Sequence, residues 1–280
     1  MKRLVVVLLA ALALGGGSAR TKVEAVGPQA RPVNWSKVRL LLYTRNGAGY
    51  VHQNIPASIE AIKALAAEHK FVVDASDDPA VFTDDNLKKY SALVFSNTNN
   101  VVFDTDAQRV ALMRYVQAGG GFAAIHSASG TERTWKWFAG LLGGAFSRHA
   151  PMQKFGVVIL DRAHPSLAHL PPRWERDDEC YYLVKMNVNM KVLAVNDLST
   201  IQDPKGEKPA IFGDVFPSVW SQEFDGGRQW YTSLGHRKED YLTPEFRQHI
   251  LGGIRSVVRN APLDYTRAYA VSPADDVKKR

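Results

Sequence analysis

The chain has 280 residues, 45% of them apolar, which is enough material for the core of one large domain or two small ones. Its formal net charge is only +7, and its basic residues are scattered rather than gathered with aromatic residues in a stripe. This argues against a nucleic-acid partner. The single cysteine, Cys180, excludes an intramolecular disulfide and a metal site built from several thiolates.

The first 19 residues have the pattern of a secretory signal peptide. Lys2 and Arg3 precede an apolar run from Leu4 to Leu14, and small residues lead to an expected cleavage after Ala19. The run is shorter than the ~20 residues that cross a bilayer, which favours a signal peptide over the alternative of an uncleaved membrane anchor. We therefore expect a periplasmic or secreted protein, with the periplasm preferred and no membrane span after cleavage.

Three segments are expected after the signal peptide. Residues 20–34 are predicted to be a linker, because they have no sustained period and are interrupted by prolines. Residues 35–260 are predicted to form the folded domain. The polar residues 261–280 are predicted to be a C-terminal tail that either wraps over the surface or is disordered.

The first half of the domain alternates strands with helices. Apolar runs of strand length and segments with helical spacing succeed each other as in a parallel sheet with helices on both faces. The predicted elements are a strand at 38–43, a helix at 55–69, a strand at 71–75, a short helix at 87–90, a strand at 92–96, a helix at 106–117 and a strand opening the segment GGGFAAIHSASG at 119–130.

The second half has strands joined by loops rich in proline, aspartate and glycine. Some of these strands are expected to extend the same sheet and others to form hairpins, with Asp225-Gly226-Gly227 as one hairpin turn. A helix at 244–259 closes the domain, because apolar residues recur on one of its faces. The predicted strands are 157–160, 181–184, 192–195, 219–223 and 229–233.

Polar residues directly after strands are the candidates for a functional site, because ligands of open α/β sheets bind beyond the carboxyl ends of the strands. His126 is the strongest candidate. It ends a strand in a tight turn, where many hydrolases display a serine or cysteine nucleophile. Histidine is instead a common metal ligand and a common acid or base. The residues expected to converge on the same cleft are His52, Asn97, Ser127, His149 and His236.

Three acidic residues precede the predicted aromatic strand at 181–184. Glu179 adjoins this strand and is the better candidate for a buried acid, whereas Asp177 and Asp178 are expected to be solvated turn residues. Tyr181 and other aromatic residues near the cleft suit the apolar faces of sugar rings, but they also suit a core. The histidines expected to be structural are His69, His164, His169 and His249.

An ordered set of motifs between Val38 and Arg259 resembles the ThuA-like family of trehalose utilisation. The motifs include GYVHQN, YSALVFSNT, GGGFAAIHSAS, DECYYL and YTSLGH. The resemblance implies a flavodoxin-like three-layer α/β/α sandwich with a mostly parallel sheet, similar to class I glutamine amidotransferases. It also puts His126 where those enzymes carry a nucleophilic cysteine. Glutaminase chemistry is therefore not expected, and Cys180, on a different strand, cannot replace that nucleophile.

The resemblance further implies a role in carbohydrate metabolism, on keto-sugars or 3-keto-glycosides. In this hypothesis a divalent metal (Zn, Ni, Fe or Mn) held by two or three histidines polarises a sugar carbonyl. His126 and His236 are the first expected ligands, and His149 or His52 is the third. Catalysis by elimination, hydrolysis or isomerisation is assigned to His126, Glu179 and His52.

The expected partner is a small sugar or glycoside, and two alternatives to a metalloenzyme stay open. One is a non-catalytic carbohydrate-binding protein, and the other is a metal-free hydrolase that uses His126 as a base for water. The sequence leaves open whether the chain forms a homodimer, and it identifies neither the sugar nor the metal. The residues expected to bind substrate are Tyr50, Asn97, Ser127 and Tyr181.

Overall fold

The structure is a computed structural model, and it describes residues 33–204, 206–259 and 261–277. The signal peptide expected over residues 1–19 lies outside the described residues, as does most of the linker expected over 20–34. Among the residues that are described, no helix has the length and apolar character that crossing a membrane requires.

The described residues form eleven strands and five α-helices. The strands are β1 (Arg39–Tyr43), β2 (Val72–Ser76), β3 (Ala92–Ser96), β4 (Gly121–Ile125), β5 (Ala145–His149), β6 (Gln153–Ile159), β7 (Arg173–Asp178), β8 (Tyr181–Val184), β9 (Lys191–Asp197), β10 (Val215–Phe224) and β11 (Gly227–Thr232). The helices are α1 (Ile55–His69), α2 (Asp84–Leu87), α3 (Asp106–Gln117), α4 (Lys136–Leu142) and α5 (Pro244–Val257).

Nine strands form one sheet in the order β2-β1-β3-β4-β11-β10-β9-β6-β7. The pairs from β2 to β11 are parallel, and the pairs from β11 to β7 are antiparallel. Seven of the nine strands therefore run in one direction, which confirms the mostly parallel sheet. Strands β3 and β4 are buried along their whole length, as expected for apolar runs covered on both faces.

Helices cover both faces of this sheet. A Cβ on Gly121 of β4 would lie 2.5 Å from the carbonyl oxygen of Val257 at the end of α5, so only glycine fits beneath that helix. The next residue, Phe122, contacts Phe138 of α4 with ring centroids 6.0 Å apart. Since successive strand side chains point to opposite faces, α5 and α4 lie on opposite sides of β4. The α/β/α three-layer fold is thus confirmed.

Most predicted elements of the first half are present with nearly the predicted bounds. Helices α1 and α3 and strand β3 coincide with the predicted ranges. The short helix expected at 87–90 lies earlier, as α2, because the Thr83 hydroxyl accepts a hydrogen bond from the Asn86 backbone and caps its start. The predicted hairpin is also confirmed, since Asp225 and Gly226 have φ of 47° and 96° between β10 and β11.

Strand β7 was not predicted, because two of its three inward-facing residues, Arg176 and Asp178, are charged. Burial alternates along its sequence RWERDD. The buried Arg176 guanidinium is bonded to the carboxylate of Asp240 and lies 4.4 Å from the ring centroid of Trp174. A strand with paired charges on its covered face lacks the apolar alternation by which strands are recognised. Strand β5, which pairs with β8 outside the main sheet, was missed as well.

The described part of the C-terminal tail packs on the body of the domain. The side-chain oxygen of Gln117 accepts hydrogen bonds at 3.0 Å from the backbone N–H groups of both Tyr269 and Ala270. The Trp135 indole donates to the carbonyl of Pro273 at 2.7 Å. Of the two expectations for the tail, these contacts support wrapping over the surface.

His249 of α5 is buried between helix and sheet. One ring nitrogen lies 2.9 Å from the carbonyl of Ser166, and the other lies 3.0 Å from the hydroxyl of Thr232. Burial lowers the pKa of His249 to about 3. An unfolded histidine binds a proton near pH 6.5, so the unfolded chain takes up more protons than the folded one between about pH 6.5 and 3.

We therefore expect the free energy of unfolding to fall as the pH is lowered from about 6.5 towards 3, with about 1.4 kcal/mol lost per unit of pKa difference. In His249→Gln this dependence should be shallower, because the titrating ring is gone. Denaturant unfolding at pH 7, 5.5 and 4.5 measures both slopes. Equal slopes in wild type and variant would contradict the assignment.

Candidate functional site

His126 lies in the turn that follows β4, in left-handed backbone with φ of 54°. This conformation costs a residue with a Cβ about 1 kcal/mol or more. The Tyr231 hydroxyl, from β11, donates to the carbonyl of His126 at 2.9 Å and helps to hold the turn. The turn presents the buried imidazole at the carboxyl edge of the sheet, where the sequence placed it.

The hydrogen bonds of His126 determine which ring nitrogen carries a lone pair. Nδ1 lies 2.8 Å from the carbonyl oxygen of Ser233, which can only accept, so Nδ1 holds the proton and donates. Nε2 therefore has the lone pair, and it accepts from the Tyr181 hydroxyl at 2.8 Å. Burial, together with the nearby His52, lowers the pKa of His126 well below its usual value, which keeps the ring neutral.

Four side chains bring one ligand atom each to a common centre. His52, His126, Glu179 and His236 have ligand atoms that all lie within 4.8 Å of one another. His236 Nδ1 is 3.0 Å from Glu179 Oε2 and 3.2 Å from His126 Nε2, and the His126 and Glu179 atoms are 3.8 Å apart. Ligand atoms around one tetrahedral zinc are about 3.3 Å apart. The His126, Glu179 and His236 atoms are thus spaced much as around a single metal ion, and the His52 atom lies within 4.8 Å of each of them.

His52 has the electronic state that a metal ligand needs. Its Nδ1 is buried and has no hydrogen-bond partner among the described residues. Burial, with a smaller effect of His236, lowers the pKa of His52 to about 4, so the ring is neutral at pH 7. A buried polar atom without a partner is unfavourable unless a ligand satisfies it.

Glu179 connects the cluster to a fifth group. Its Oε2 is 3.0 Å from His236 Nδ1, and its Oε1 is 3.3 Å from His149 Nδ1. Burial by itself lowers the pKa of His236, but the hydrogen bond and charge of Glu179 outweigh it and raise that pKa. Glu179 is itself buried, as predicted, and it is the acid that faces the histidines.

The Asp178 carboxylate positions the backbone of two cluster residues. One of its oxygens accepts from the N–H groups of Glu179 at 2.8 Å and His236 at 3.2 Å, and the other accepts from Gly235 at 2.7 Å. Burial, with the nearby Asp240, raises the pKa of Asp178 to about 6. The expectation of a solvated turn residue is wrong for Asp178, which is fully buried at the end of β7.

Asp177, the other acid expected in a solvated turn, also belongs to β7. Its carboxylate is bonded to the guanidinium of Arg237, and both side chains are partly exposed. The local sequence of consecutive acids does not separate Asp177 from Asp178. Only the alternation of strand side chains turns one outward and the other into the core.

Asn97, which was expected to bind substrate, is not among the residues that line the cavity at the cluster. It is fully buried, donates to the Tyr241 hydroxyl at 2.9 Å and accepts from the Asn54 amide at 3.0 Å. That amide also donates to the carbonyls of Gly235 at 2.6 Å and His236 at 2.9 Å. Asn97 therefore supports the loops that carry the histidines. Asn54 was missed because nothing in its own sequence neighbourhood indicates a contact so distant in the chain.

A cavity of about 370 Å³ opens at the cluster, within the range typical of ligand pockets. Three of the four residues expected to bind substrate, Tyr50, Ser127 and Tyr181, line it. The Ser127 hydroxyl is buried and has no hydrogen-bond partner among the described residues, so it is available to a ligand. Tyr50 is exposed at the rim.

Comparison with known proteins identifies the family. The family model for ThuA, described as trehalose utilisation, matches residues 39–256. The chain belongs to the ThuA family. A solved ThuA-like protein from Bacteroides uniformis is 25% identical, with a TM-score of 0.66 over 84% of this chain and 96% of that one. A ThuA-like protein from Parabacteroides merdae is 19% identical, with a TM-score of 0.63 over 79% and 89%.

A more distant structure shares the fold alone. It is described as a cytoplasmic protein from Salmonella typhimurium, is 12% identical and has a TM-score of 0.55 over 80% of this chain and 100% of that one. No match was found among curated proteins. The ThuA-like family and the α/β fold expected from the sequence motifs are thus confirmed.

Of the two alternatives for the third histidine of the metal site, the structure of this ThuA-family chain brings His52 and not His149 into the four-residue cluster. His149 Nδ1 lies 2.8 Å from the carbonyl of Ala150 and therefore carries the proton. The same nitrogen lies 3.3 Å from Glu179 Oε1. His52 was expected to be either the third ligand or a catalytic residue, and it lies in the cluster.

The one cysteine of this ThuA-family protein is not a nucleophile. Cys180 is buried, and its sulfur accepts a hydrogen bond from the Asn196 amide at 3.2 Å. Burial raises the pKa of the Cys180 thiol to about 12, so the reactive thiolate does not form at neutral pH. Cys180 is therefore not suited to replace a nucleophile at the turn after β4, where His126 stands.

Proposed function

We propose that this ThuA-family protein is a metal-dependent enzyme of carbohydrate metabolism that acts on keto-sugars or 3-keto-glycosides. The observation that carries the proposal is the convergence of His52, His126, Glu179 and His236 on one point at the cavity. Three imidazoles and a carboxylate suit Zn²⁺, Ni²⁺, Fe²⁺ or Mn²⁺. Burial lowers the pKa of His52, which keeps its ring in the neutral form that binds metal ions.

The surrounding hydrogen bonds suit this role. Metal-binding histidines commonly donate their second N–H to a carbonyl, as His126 does to Ser233. Tyr181 now donates to the His126 nitrogen that would bind the ion. If His126 Nε2 gave its lone pair to a metal ion, the Tyr181 hydroxyl would be free to donate to a sugar oxygen instead. Burial holds the pKa of Tyr181 well above 10, so this hydroxyl stays protonated.

A bound divalent metal would supply polarisation of the sugar carbonyl, which makes a proton on the adjacent carbon acidic. His149 is the group of this chain that suits removal of that proton. It lines the cavity outside the cluster, and because Nδ1 holds its proton, Nε2 carries the lone pair. Glu179, 3.3 Å from His149 Nδ1, stabilises the imidazolium that results.

The test is turnover of p-nitrophenyl 3-keto-β-D-glucopyranoside, followed by release of nitrophenol. We expect activity in metal-loaded protein, loss after chelation and recovery when the metal is restored. His149→Ala should bind metal but lose most of the rate. Activity that is indifferent to chelation would favour the metal-free hydrolase. Glycoside binding without turnover would favour the non-catalytic carbohydrate-binding protein.

We also propose that the protein acts after export to the periplasm. The proposal is supported by Lys2 and Arg3 ahead of the apolar run Leu4 to Leu14. N-terminal sequencing of protein expressed with its own N-terminus should find a chain beginning at Arg20. A chain that retains Met1 and remains with the membrane fraction would support the anchor instead.

A further inference from the structure

Arg133 is a cation of the cavity that neither metal binding nor proton transfer uses. It lines the cavity together with the cluster, and it has no acidic partner among the described residues. Its Nε donates to the carbonyl of Gly130 at 3.0 Å, and its Nη2 donates to Asn99 Oδ1 at 3.1 Å. Within the described part of the chain, Nη1 has no hydrogen-bond partner.

Neighbouring residues hold the Arg133 side chain in its position. Asn99 donates its amide to the carbonyl of Tyr50 at 3.2 Å, and its oxygen also accepts from the Asn100 backbone at 3.0 Å, which fixes its orientation. A Cβ on Gly130 would lie 2.4 Å from that oxygen and 3.0 Å from Arg133 Nη2. The missing side chain at Gly130 leaves room for the asparagine–arginine contact.

A continuous wall of rings leads from Arg133 to the cluster. The guanidinium carbon lies 5.3 Å from the ring centroid of Phe146, which is 4.6 Å from that of Tyr181. The Tyr181 ring is in turn 4.4 Å from His126. A ligand lying along this wall can reach the cluster and the guanidinium at once.

The charges of the cavity favour an anion. Glu179 is the only acidic residue among those lining it, and that carboxylate is already engaged by His236 and His149. Among the described residues Arg133 therefore has no acidic partner, and a divalent cation at the cluster would give the cavity a net positive charge. An arginine held at two nitrogens presents its remaining N–H groups in a fork that matches a carboxylate.

We propose that Arg133 is a carboxylate subsite and that the substrate is an acidic sugar, a uronic or aldonic acid or a glycoside of one. The sugar part of this inference rests on the proposed function. The carboxylate contact needs only Arg133 and its support by Asn99 and Gly130. Arg133 is an exposed residue at the mouth of the cavity, and a neutral sugar would offer its guanidinium no anionic partner.

The test compares acids with neutral molecules of the same skeleton by calorimetric titration. The pairs are methyl β-D-glucuronide with methyl β-D-glucoside, and gluconate with glucitol. In wild type at least one acid should bind about tenfold or more tightly than its neutral partner. The preference should fall below about twofold in Arg133→Gln, be partly kept in Arg133→Lys, and be unchanged in the exposed control Arg162→Gln.

Equal affinities within both pairs for wild type would overturn the proposal, as would a preference that survives in Arg133→Gln. Titrations with chelated protein separate the two proposals. A preference that disappears on chelation but not in Arg133→Gln assigns the carboxylate to the metal and overturns the subsite. A preference that needs Arg133 in chelated, inactive protein supports the subsite even where the metalloenzyme proposal fails. Thermal unfolding checks that each variant is folded.

Discussion

His126→Ala and His236→Ala are each expected to lower metal affinity by at least about 100-fold, since even changes outside the ligand shell cost 10–100-fold. Each variant removes one of the atoms that now lie 3.0–3.8 Å apart around the centre of the cluster. Three ligands remain in each variant, and they hold an ion more weakly than four. Mass spectrometry of metal content in tag-free protein, after equilibration with equal Zn²⁺, Ni²⁺, Fe²⁺ and Mn²⁺, measures the effect.

Two further histidines serve as controls for this prediction. His149→Ala should keep its metal, because the His149 Nδ1 proton faces the carbonyl of Ala150 rather than the centre. His169→Ala should keep it too, because that ring lies against the backbone of Glu245. Wild type that takes up no metal even on reconstitution would remove the metalloenzyme proposal. Equal metal in all four variants would place the ion outside the cluster.

Asp178→Asn is expected to lower metal affinity about 10–100-fold and to destabilise the fold by about 2–4 kcal/mol. The wild-type carboxylate accepts three backbone N–H groups, those of Glu179, Gly235 and His236. An asparagine amide must turn its own NH₂ towards at least one of them. The segments that present Glu179 and His236 would then separate, although neither ligand has been changed.

Asp177→Asn is the matched control for Asp178→Asn. It alters the neighbouring carboxylate, whose partner Arg237 is partly exposed, so the change in stability should stay below about 1 kcal/mol and metal binding should be unaffected. Denaturant unfolding and metal titration separate the two effects. If Asp178→Asn binds metal as tightly as wild type while losing stability, the carboxylate has only a structural role.

The parallel part of the sheet and its helices could be predicted from local pattern. Strands such as β3 and β4 are buried on both faces, so their apolar runs are continuous and visible without partners. Helices α1 and α3 were predicted with their observed bounds. Strand β7 was not, because Arg176 and Asp178 are stabilised on its buried face by partners distant in the chain.

In the candidate site, too, some residues were indicated by the local sequence and others only by the fold. His126 was found because a histidine ending an apolar strand in a tight turn of small residues is itself a local signal, and Glu179 was found beside an aromatic strand. The choice between His52 and His149 as the third ligand stayed open in the sequence. Both lie outside the predicted strands and helices, and only the fold brings His52 into the cluster and turns His149 Nδ1 towards the carbonyl of Ala150.

The sequence by itself determined the family, the α/β class and the strand end that carries His126. These features follow from apolar runs, residue spacing and motifs that are each only a few residues long. Only the tertiary structure decided that Asp178 supports the cluster, that Asn97 is not exposed to substrate and that Arg133 faces the cavity without a counter-charge. Hydrogen bonds and charges act over a few ångströms. Here the groups that they join lie dozens of residues apart in the chain.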